Sequence, residues 1–595
     1  MSSERRATAA GTCPPRACGL RRGLLLLALA LVPACMQVPD SGPVHAGPEV
    51  GSDDEPVLRF VPSGPRPGQD PVTIINGYLD AMRAYPPNPA TVRQFLTRRA
   101  AAEWTPGAGT QIYTARPEIE RVGADVVRIE TRLRARLTDR GSWTAPAPGE
   151  RKLRREFHLR RVHGQWRITD PARGLLLPEY DIERSYRAYA LYFFDPALRV
   201  LVPSLVYLPQ GEQTATLLLR GLVRGPTEWL RGAVESMVPP TDRADLSVPV
   251  TDNGVAQVQL GAAARGLGAT ERELLAAQLA WTLRQVPDVD AVRVTVNGAP
   301  LVLEDGSNLV DVDDTGADFD PADPAATQTL FALRGNQVVA VDQVKGLGSR
   351  VAGRFGTGAV PVRTFAVERT GQTVAAVTRG GSTVEVAPIG VGESQVWFDR
   401  GSALFDLQWD IHGLLWAVGR TRSGPVVHVL REGRTARVPL RGAPPRDISA
   451  FALSRDGLRV AVVEGRGAAS RLLLGRVIRP ADESMTLAVD SWREVGGAAA
   501  ALRGFVDVAW ESPTELTVVA ERRGGSPQVF TVAVDGSVVE PAALLELDIA
   551  SVADAPDVDR PTVVATRPGT LYLQLADRWS ELALQGAYRR PSYVE

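Results

Sequence analysis

The chain has 595 residues and a formal net charge of −1, with 67 lysine and arginine residues against 68 aspartate and glutamate residues. This balance argues against a nucleic-acid-binding role for the whole protein, because such proteins usually carry a basic patch and an excess of positive charge. A chain of this length predicts three or four domains, each with its own buried core.

The N-terminus has the pattern of a secretory signal. Nine apolar residues from Leu24 to Val32 follow three arginines, at positions 16, 21 and 22. A helix that crosses a bilayer needs about 18 apolar residues or more, so this stretch is too short to span. The pattern is typical of a signal peptide, which we expect over residues 1–34.

The end of this signal resembles a bacterial lipobox, Val32-Pro33-Ala34-Cys35. The resemblance implies cleavage between Ala34 and Cys35, an S-diacylglycerol group on the Cys35 thiol and an acyl chain on its new amine. Two or more acyl chains suffice for stable anchoring, since each buried methylene contributes about 0.8 kcal/mol. Two alternatives stay open, namely an ordinary signal peptide with an incidental cysteine and an uncleaved anchor. Cys13 and Cys18 precede the cut, so we expect no disulfide in the mature chain.

A linker and an α+β domain are expected next. Residues 35–68 are rich in proline, glycine, serine and acidic side chains, a composition that buries little apolar surface. Apolar residues at spacings of three and four predict a helix that begins near Asp70, and a second short helix is expected over 91–102. Strands follow. Two helices before a curved sheet resemble the NTF2-like or cystatin-like α+β folds, which we expect over residues 69–184.

A basic face is a candidate contact site of this domain. Residues 116–173 carry 14 arginines and one lysine against eight acidic residues. Period-two alternation predicts that Val126, Ile129 and Leu133 point inward while Arg132, Arg134 and Arg136 point outward. The three arginines would contact phospholipid headgroups, an anionic wall polymer or an acidic partner domain. The alternative is an ordinary solvated sheet face.

A second α/β unit is expected over residues 185–303. A strand pair is predicted around Asp195-Pro196, and a helix over 214–224 ends at Gly225-Pro226. A second helix is predicted to begin at the capping box 270–273. Alternating valines then lead into Asn297-Gly298, which is a hairpin signal.

Several segments of this unit resemble the GerMN domain, which is associated with bacterial cell-envelope processes and has no established catalytic signature. These segments are Leu191-Tyr192-Phe193, Leu201-Val202-Pro203, Leu222-Val223-Arg224-Gly225-Pro226, Gly254-Val255-Ala256-Gln257-Val258, Gln278-Leu279-Ala280-Trp281-Thr282-Leu283 and Val294-Thr295-Val296-Asn297-Gly298.

Residues 304–327 are rich in aspartate among glycine and proline. A calcium loop needs oxygen ligands at positions 1, 3, 5 and 12. Counted from Asp311, position 12 is Ala322, so the match fails at the position that should carry a bidentate acid. We expect an acidic interdomain linker and no metal site.

From residue 328 to 595 the sequence is all-β with a loose repeat. Phe365, Phe405, Phe451 and Phe505 are 40, 46 and 54 residues apart, and a second apolar run follows each. A period of about 40–50 residues with several strands per unit is typical of propeller blades. The turn 454–457 also resembles the WD40 or TolB-like type. The length allows five or six blades, and closure of the ring stays open.

No catalytic, cofactor-binding or metal-binding residue is predicted. The histidines His45, His158, His163, His412 and His428 have no metal-ligand spacing, and we expect exposed turn or strand positions for them. Residues 353–358 have the glycines of a phosphate loop but no lysine, and they predict a hairpin turn. A carboxylate pair for glycoside hydrolysis is defined by its separation in space, which a sequence does not give.

A lipobox, a GerMN-like domain and a C-terminal propeller together resemble the LpqB family of actinobacterial lipoproteins. The resemblance implies a protein without enzymatic activity and without a cofactor, anchored by lipid at the outer face of the cytoplasmic membrane. It also implies an accessory role in the MtrAB two-component system, through contact with the extracellular domain of the sensor kinase MtrB. That signalling governs cell division and cell-wall homeostasis.

Two other functions stay open. One is a protein that binds peptidoglycan or another wall polymer. The other is a β-propeller hydrolase of envelope sugars or lactones, which would show converging acids or a metal in the central channel. Our hypothesis places the kinase contact on the N-terminal and GerMN-like domains, with the propeller as a further interaction surface.

Overall fold

The computed structural model describes residues 61–595 except 86–87, 241–245, 323–326, 523, 556–559 and 595. The predicted signal peptide and the lipidation site at Cys35 lie outside these residues. The helices are α1 Pro71–Met82, α2 Pro89–Gln94, α3 Arg98–Glu103, α4 Glu179–Ser185, α5 Thr214–Arg224, α6 Ala269–Leu283 and α7 Gly496–Ala501.

The N-terminal domain is a sheet covered on one face by helices. Its strands are β1 Thr110–Tyr113, β2 Glu118–Arg121, β3 Val126–Leu137, β4 Trp143–Thr144, β5 Lys152–Val162, β6 Gln165–Ile168 and β7 Leu175–Pro178. The main order is β6-β5-β3-β1-β7, and β2 and β4 also pair with β3. Helix α1 begins after Asp70, whose carboxylate accepts hydrogen bonds from the amides of Val72 and Thr73. Its apolar face packs into the core that the sheet forms.

Two local predictions for this domain are wrong. The helix expected over 91–102 is two helices, α2 and α3, because Thr97 leaves the helical conformation and its hydroxyl accepts a hydrogen bond from the Ala100 amide. In β3 the buried positions are the odd-numbered ones, from Val127 to Leu137, so Val126 lies on the half-buried face. The inward positions of Ile129 and Leu133 are confirmed.

The GerMN-like domain combines a strand pair, a mixed sheet and two helices. Its strands are β8 Tyr186–Phe194, β9 Leu201–Pro209, β10 Val255–Leu260, β11 Ala291–Val296, β12 Ala299–Pro300 and β13 Val310–Asp311. β8 pairs antiparallel with β9, while β10 pairs parallel with β11. Helices α5 and α6 pack with both sets of strands around one core.

Turn and cap residues set the limits of these elements. Helix α5 ends before Gly225, whose φ of 79° suits glycine, as expected. Asn297 and Gly298 have φ of 50° and 84°, which confirms the hairpin between β11 and β12. Helix α6 begins earlier than predicted, because its N-cap is Gly268, whose amide donates to the Glu271 carboxylate at 2.8 Å. Thr270 is therefore not the cap.

The acidic segment after this domain is exposed at most of its described positions, but a few of its side chains pack against the GerMN-like domain. Strand β13 pairs with β11, and Val310 and Val312 enter the GerMN-like core. Phe319 stacks edge-on against Phe194 with ring centroids 5.2 Å apart. The apolar side chains that alternate with the aspartates account for this packing, since their burial outweighs the polar composition of the segment.

The described residues of the C-terminal part form six four-stranded antiparallel sheets arranged as propeller blades. Blade 1 contains β14 Leu330–Arg334, β15 Gln337–Asp342 and β16 Leu347–Arg350, and blade 2 contains β17 Thr364–Val367, β18 Thr373–Thr378, β19 Thr383–Pro388 and β20 Gln395–Phe398. Blade 3 contains β21 Asp406–Trp409, β22 Leu415–Thr421, β23 Gly424–Arg431 and β24 Arg434–Val438, and blade 4 contains β25 Ile448–Leu453, β26 Arg459–Glu464, β27 Arg471–Ile478 and β28 Ala488–Glu494. Blade 5 contains β29 Leu502–Ser512, β30 Glu515–Arg522, β31 Pro527–Ala533 and β32 Val539–Pro541, and blade 6 contains β33 Ile549–Ala553, β34 Val563–Thr566, β35 Leu571–Leu575 and β36 Arg578–Glu581.

The ring is closed by the last strand, β37 Tyr588–Ser592, which pairs with β14 and completes blade 1 as its innermost strand. The four periodic phenylalanines lie on or beside innermost strands and fill the spaces between neighbouring blades. This placement explains why they recur once per blade. Residues 353–358 connect β16 to β17 instead of forming a hairpin, because Phe355 turns into the core between blades 1 and 2.

Candidate functional site

The GerMN-like domain and the propeller share a buried contact. Leu458 lies in the turn between β25 and β26 of blade 4 and is fully buried. It belongs to the same hydrophobic cluster as the GerMN-like core, whose members include Leu279 and Val294. The turn is fixed by Asp456, whose carboxylate accepts a hydrogen bond from the Leu458 amide at 2.9 Å. A propeller side chain therefore completes the core of the neighbouring domain.

A second contact between these domains centres on Trp229. Its indole nitrogen donates to the Ser491 carbonyl at 2.8 Å, and the Arg493 guanidinium lies 4.2 Å from its ring centroid. Arg476 of blade 4 donates to the Trp229 carbonyl at 3.0 Å and to the Arg231 carbonyl at 2.7 Å. These directional contacts set the orientation of the GerMN-like domain on the propeller.

A largely buried charged cluster lies in the same interface. The side chain of His412, from the turn between β21 and β22, is fully buried. Its Nε2 is 3.6 Å from the Asp195 carboxylate of the GerMN-like domain, and its Nδ1 is 3.7 Å from Glu483. Neither ring nitrogen has a hydrogen-bond partner among the described residues. Burial and the neighbouring Arg479 lower the pKa of His412, although Asp410, Asp195 and Glu483 oppose this shift.

A buried ion pair supports this cluster from the propeller side. Arg479 of blade 4 donates to the Asp410 carboxylate of blade 3 at 2.5 Å, and both side chains are fully buried. Asp410 also accepts hydrogen bonds from the Trp416 indole and from the amides of His412 and Leu414. The expectation of an exposed histidine is therefore wrong for His412, because the residues that enclose it are distant in sequence.

In the structure, the three arginines of the predicted basic contact face have different partners and different exposure. Arg134 donates to Glu179 at 2.7 Å and to the Ser537 carbonyl of blade 5 at 3.2 Å, so it joins the N-terminal domain to the propeller. Arg136 is paired with Glu150 at 2.9 Å. Arg132 stays exposed. These three arginines therefore do not form one free surface.

Exposed basic side chains do lie on the same sheet face, next to Arg132. Arg154 and Arg160 of β5 are exposed, and neither forms an ion pair within the described residues. Lys152 and Arg128 are paired with Glu130 and Glu156. We name this surface the β5 face; its basic residues that form no ion pair within the described residues are Arg132, Arg154 and Arg160, and Arg154 lies opposite Glu130 in the strand register.

The innermost strands of all six blades line a central channel with a volume of about 490 Å³. Charged side chains from several blades line its wall, among them Asp406 of blade 3, Asp507 of blade 5 and Arg590 of blade 1. Burial raises the pKa of Asp406 to about 7 and that of Asp507 to about 6, while Arg590 opposes both shifts. Sequence reasoning missed these residues, because their strands are brought together only by ring closure.

Three other histidines lie in the described part of the chain, and His45 lies outside it. His158 is paired with Asp170 at 2.9 Å, which raises the pKa of His158. His163 has a positive φ of 48° in a turn, and His428 is half-buried with its ring 4.8 Å from that of Phe398. Within the described ranges, no group of three or more histidine, cysteine or acidic side chains is arranged to hold a metal ion. Nor does any helix in those ranges combine the length and apolar composition required to cross a bilayer.

Sequence models of three families match this chain. The model described as "Lipoprotein LpqB, N-terminal domain" matches residues 64–183, and "Sporulation and spore germination" matches residues 190–302. The model described as "Lipoprotein LpqB beta-propeller domain" matches residues 336–594. The three matches follow one another in the order of the three domains.

Individual relatives agree with these matches. "Lipoprotein LpqB" of Thermobifida fusca is 28% identical over 571 residues, covering 85% of this chain and 88% of the relative. "Lipoprotein LpqB" of Mycolicibacterium smegmatis is 30% identical over 472 residues, covering 74% and 77%. Among solved structures, the first GerMN domain of the sporulation protein GerM from Bacillus subtilis is 24% identical, with a TM-score of 0.18, and the alignment covers 22% of this chain and 99% of that one.

The fold and these matches define a class of protein, in which an α+β domain and a GerMN-like domain are joined to a C-terminal six-bladed propeller. The order and the interlocked contacts of the three domains distinguish this class from a propeller alone. The chain belongs to the lipoprotein LpqB family.

Proposed function

We propose that this protein is a lipid-anchored, extracytoplasmic and non-catalytic accessory of the MtrAB two-component system. It contacts the extracellular domain of the sensor kinase MtrB and modulates signalling that affects cell division and cell-wall homeostasis. Family membership and the lipobox at Cys35 support this proposal. Acyl chains on Cys35 hold the protein at the outer face of the cytoplasmic membrane.

Anchoring contributes to binding by confinement. A lipoprotein and a kinase in the same leaflet meet at a higher effective concentration than two freely diffusing molecules, so a weak interface becomes occupied. A Cys35→Ala variant would test this contribution through membrane retention and kinase output. Release of the variant with loss of output supports anchoring, whereas full output from released protein contradicts it.

The observation that carries the proposal is the interlocked arrangement of the domains. Leu458, Trp229 and Arg134 each join one domain to another, so the surfaces of the N-terminal and GerMN-like domains are held in one geometry by the propeller. The described residues from 61 onward accordingly belong to one compact unit. Contact surfaces that are already held in one geometry bind with a smaller entropy cost of ordering.

We assign the kinase contact to the β5 face. Its charges at Arg132, Arg154 and Arg160 are exposed and unpaired within the described residues, whereas Arg134 and Arg136 are already paired. A positive surface attracts an acidic partner surface and steers its approach. This assignment narrows the expected contact from two domains to one face of the N-terminal domain.

Site-specific crosslinking in membranes tests this assignment. A photoreactive residue at Arg154 should give a crosslink to the kinase, while the same residue at the exposed propeller position Arg578 serves as control. A charge-reversing pair of substitutions, Arg132→Glu and Arg154→Glu, should weaken the interaction and make its remaining part less sensitive to salt. Crosslinks found only at the propeller would contradict the assignment.

A wall-polymer binding protein is the second candidate function, and the β5 face also favours it because teichoic and similar polymers are anionic. Isolated peptidoglycan with its attached polymers should then retain the protein without the kinase. Retention that is lost in the Arg132→Glu, Arg154→Glu variant would favour this alternative. A protein that passes through unretained but crosslinks to the kinase would favour the first proposal.

A hydrolase of envelope sugars or lactones is the third candidate, because two acids do lie in the central channel. Burial raises the pKa of Asp406 to about 7, near the value that suits a general acid, and Asp507 would serve as the base. Turnover of such substrates that disappears in Asp406→Asn would support this function. The absence of turnover in the intact protein would favour the accessory role over the hydrolase.

A further inference from the structure

Charged side chains of both signs line the central channel of the propeller. Asp406 and Asp507 lie on the innermost strands of blades 3 and 5, on either side of blade 4. Arg590 lies on the innermost strand of blade 1, which faces blade 4 across a ring of six blades. Asp554, Arg567 and Arg589 also line the channel, but the Asp554 carboxylate accepts hydrogen bonds from the Thr517 and Thr562 hydroxyls and Arg567 is paired with Asp548. Asp406 and Asp507 therefore supply acidic groups, and Arg590 a basic group, on facing parts of the wall.

These groups have few partners of their own. One oxygen of Asp507 accepts a hydrogen bond from the Val552 amide at 3.0 Å, and one oxygen of Asp406 accepts from the Leu407 amide at 2.9 Å. Arg590 donates to the Thr364 hydroxyl at 3.3 Å. None of the three charged side chains forms an ion pair within the described residues. Each therefore keeps hydrogen-bonding capacity for another molecule.

The backbone at Arg590 is unusual for an arginine. Its φ is 50°, in the left-handed region that few non-glycine residues adopt. The pairing of β37 with β14 also shifts register between Phe331 and Leu333, opposite Arg590. Such irregularities in a strand redirect a side chain, and they concentrate at functional sites. Here the irregularity places a guanidinium in the channel.

The electrostatic surroundings of the two carboxyl groups favour a cationic neighbour. Burial raises the pKa of Asp406, and Asp507 raises it further. Burial also raises the pKa of Asp507. Charge on these groups is therefore costly in the channel as it stands, and a cation placed beside them would favour their ionised form.

We propose that the central channel binds a small zwitterion of the amino-acid or dipeptide class. Its ammonium group lies at Asp406 and Asp507, and its carboxylate pairs with Arg590, whose planar guanidinium suits that group. The volume of about 490 Å³ lies within the range of small-molecule sites. This site goes beyond the proposed kinase contact, because it lies in the propeller and not on the β5 face.

Calorimetric titration of the full mature chain in detergent tests this site. The probes are L-alanine, L-lysine and L-alanyl-L-alanine, and the matched probes with one charge are butylamine and butyrate. We expect saturable binding of at least one zwitterion and weaker binding of both single-charge probes. Binding at neutral pH should also release protons, because the carboxyl groups ionise as the ammonium enters. Heats measured in two buffers of different ionisation enthalpy report that release.

Substitutions in the channel test which residues bind the zwitterion. Asp406→Asn, Asp507→Asn and Arg590→Gln should each weaken binding by roughly 10- to 100-fold, the loss expected for one charge-assisted hydrogen bond. The first two should also release fewer protons. Asp577→Asn and Arg400→Gln, at exposed positions, are the controls and should leave affinity unchanged. Replacement of a desolvated carboxyl by an amide leaves the fold intact, which an unchanged thermal midpoint verifies.

Three results would overturn the proposal. They are the absence of saturable heat with every zwitterion at millimolar concentration, equal affinity for butylamine and the zwitterions, and unchanged affinity in the three channel variants. All measurements use this protein without the kinase. A negative result here therefore leaves the kinase proposal unaffected, and a failed crosslink to the kinase leaves this one unaffected.

Discussion

Substitution of Leu458 by alanine should separate the GerMN-like domain from the propeller. Leu458 is fully buried and lies in a propeller turn, yet its hydrophobic cluster belongs mainly to the other domain. The substitution removes three carbon atoms, which at about 0.8 kcal/mol each gives roughly 2.4 kcal/mol of lost transfer free energy. The residual cavity adds to this, so we expect a loss of about 3 kcal/mol.

Leu458→Ala should differ from an ordinary core substitution because the lost stability lies at the contact between two domains. The control is Leu430→Ala, which removes the same atoms from a fully buried side chain between blades 2 and 3. Both variants should unfold at lower urea concentration than the wild type. Only Leu458→Ala should also let thermolysin cleave between the two domains before the propeller unfolds, because only that variant weakens the contact between domains.

Two outcomes would refute this reasoning. One is a loss below about 0.5 kcal/mol for Leu458→Ala, the usual range for substitutions on the surface such as Leu575→Ala. The other is equal thermolysin cleavage in both core variants. Either outcome would mean that the turn at Leu458 does not hold the two domains together.

Three further predictions concern charged or titratable side chains at or near the contacts between domains. Arg479→Met leaves the Asp410 carboxylate buried without its cation, and urea denaturation should show a loss of roughly 3–5 kcal/mol, against at most about 1 kcal/mol for the exposed Arg400→Met. Burial lowers the pKa of His412, so unfolding takes up a proton below pH 6.5. The stability contributed by neutral His412 is present above that pH and declines as pH falls. In His412→Gln, the urea midpoint should therefore change less between pH 7.5 and 5.5 than in the wild type. Arg134→Ala should speed hydrogen exchange near Ser537, whereas Arg136→Ala should not.

The elements that were predicted correctly are those set by local signals. Gly225-Pro226 fixes the end of α5, and Asn297-Gly298 fixes the hairpin between β11 and β12. The spacing of the phenylalanines predicts blades because each blade repeats the same packing with its neighbour. Each of these signals depends on residues close together in the chain.

The features that the sequence did not reveal depend on contacts between distant segments. Asp195 and His412 meet only when the GerMN-like domain docks on the propeller. Asp406 and Arg590 share a channel only when the ring closes. The period-two pattern of β3 predicts that Arg134 points outward. Its contact with the Ser537 carbonyl of blade 5 reduces its exposure. Periodicity reports which face a residue occupies but not which other segment covers that face.

Closure by β37 has a consequence for how this chain matures. A chain is synthesised from its N-terminus, so β14 is made before the five following blades and its innermost partner is made last. Until residues 588–592 arrive, β14 presents an unpaired edge, and the wall of the channel lacks Arg590. A prematurely terminated chain would therefore carry an open ring with a free strand edge, which exposes it to aggregation and to proteases. Pairing of β37 with β14 therefore protects this edge only once the ring has closed.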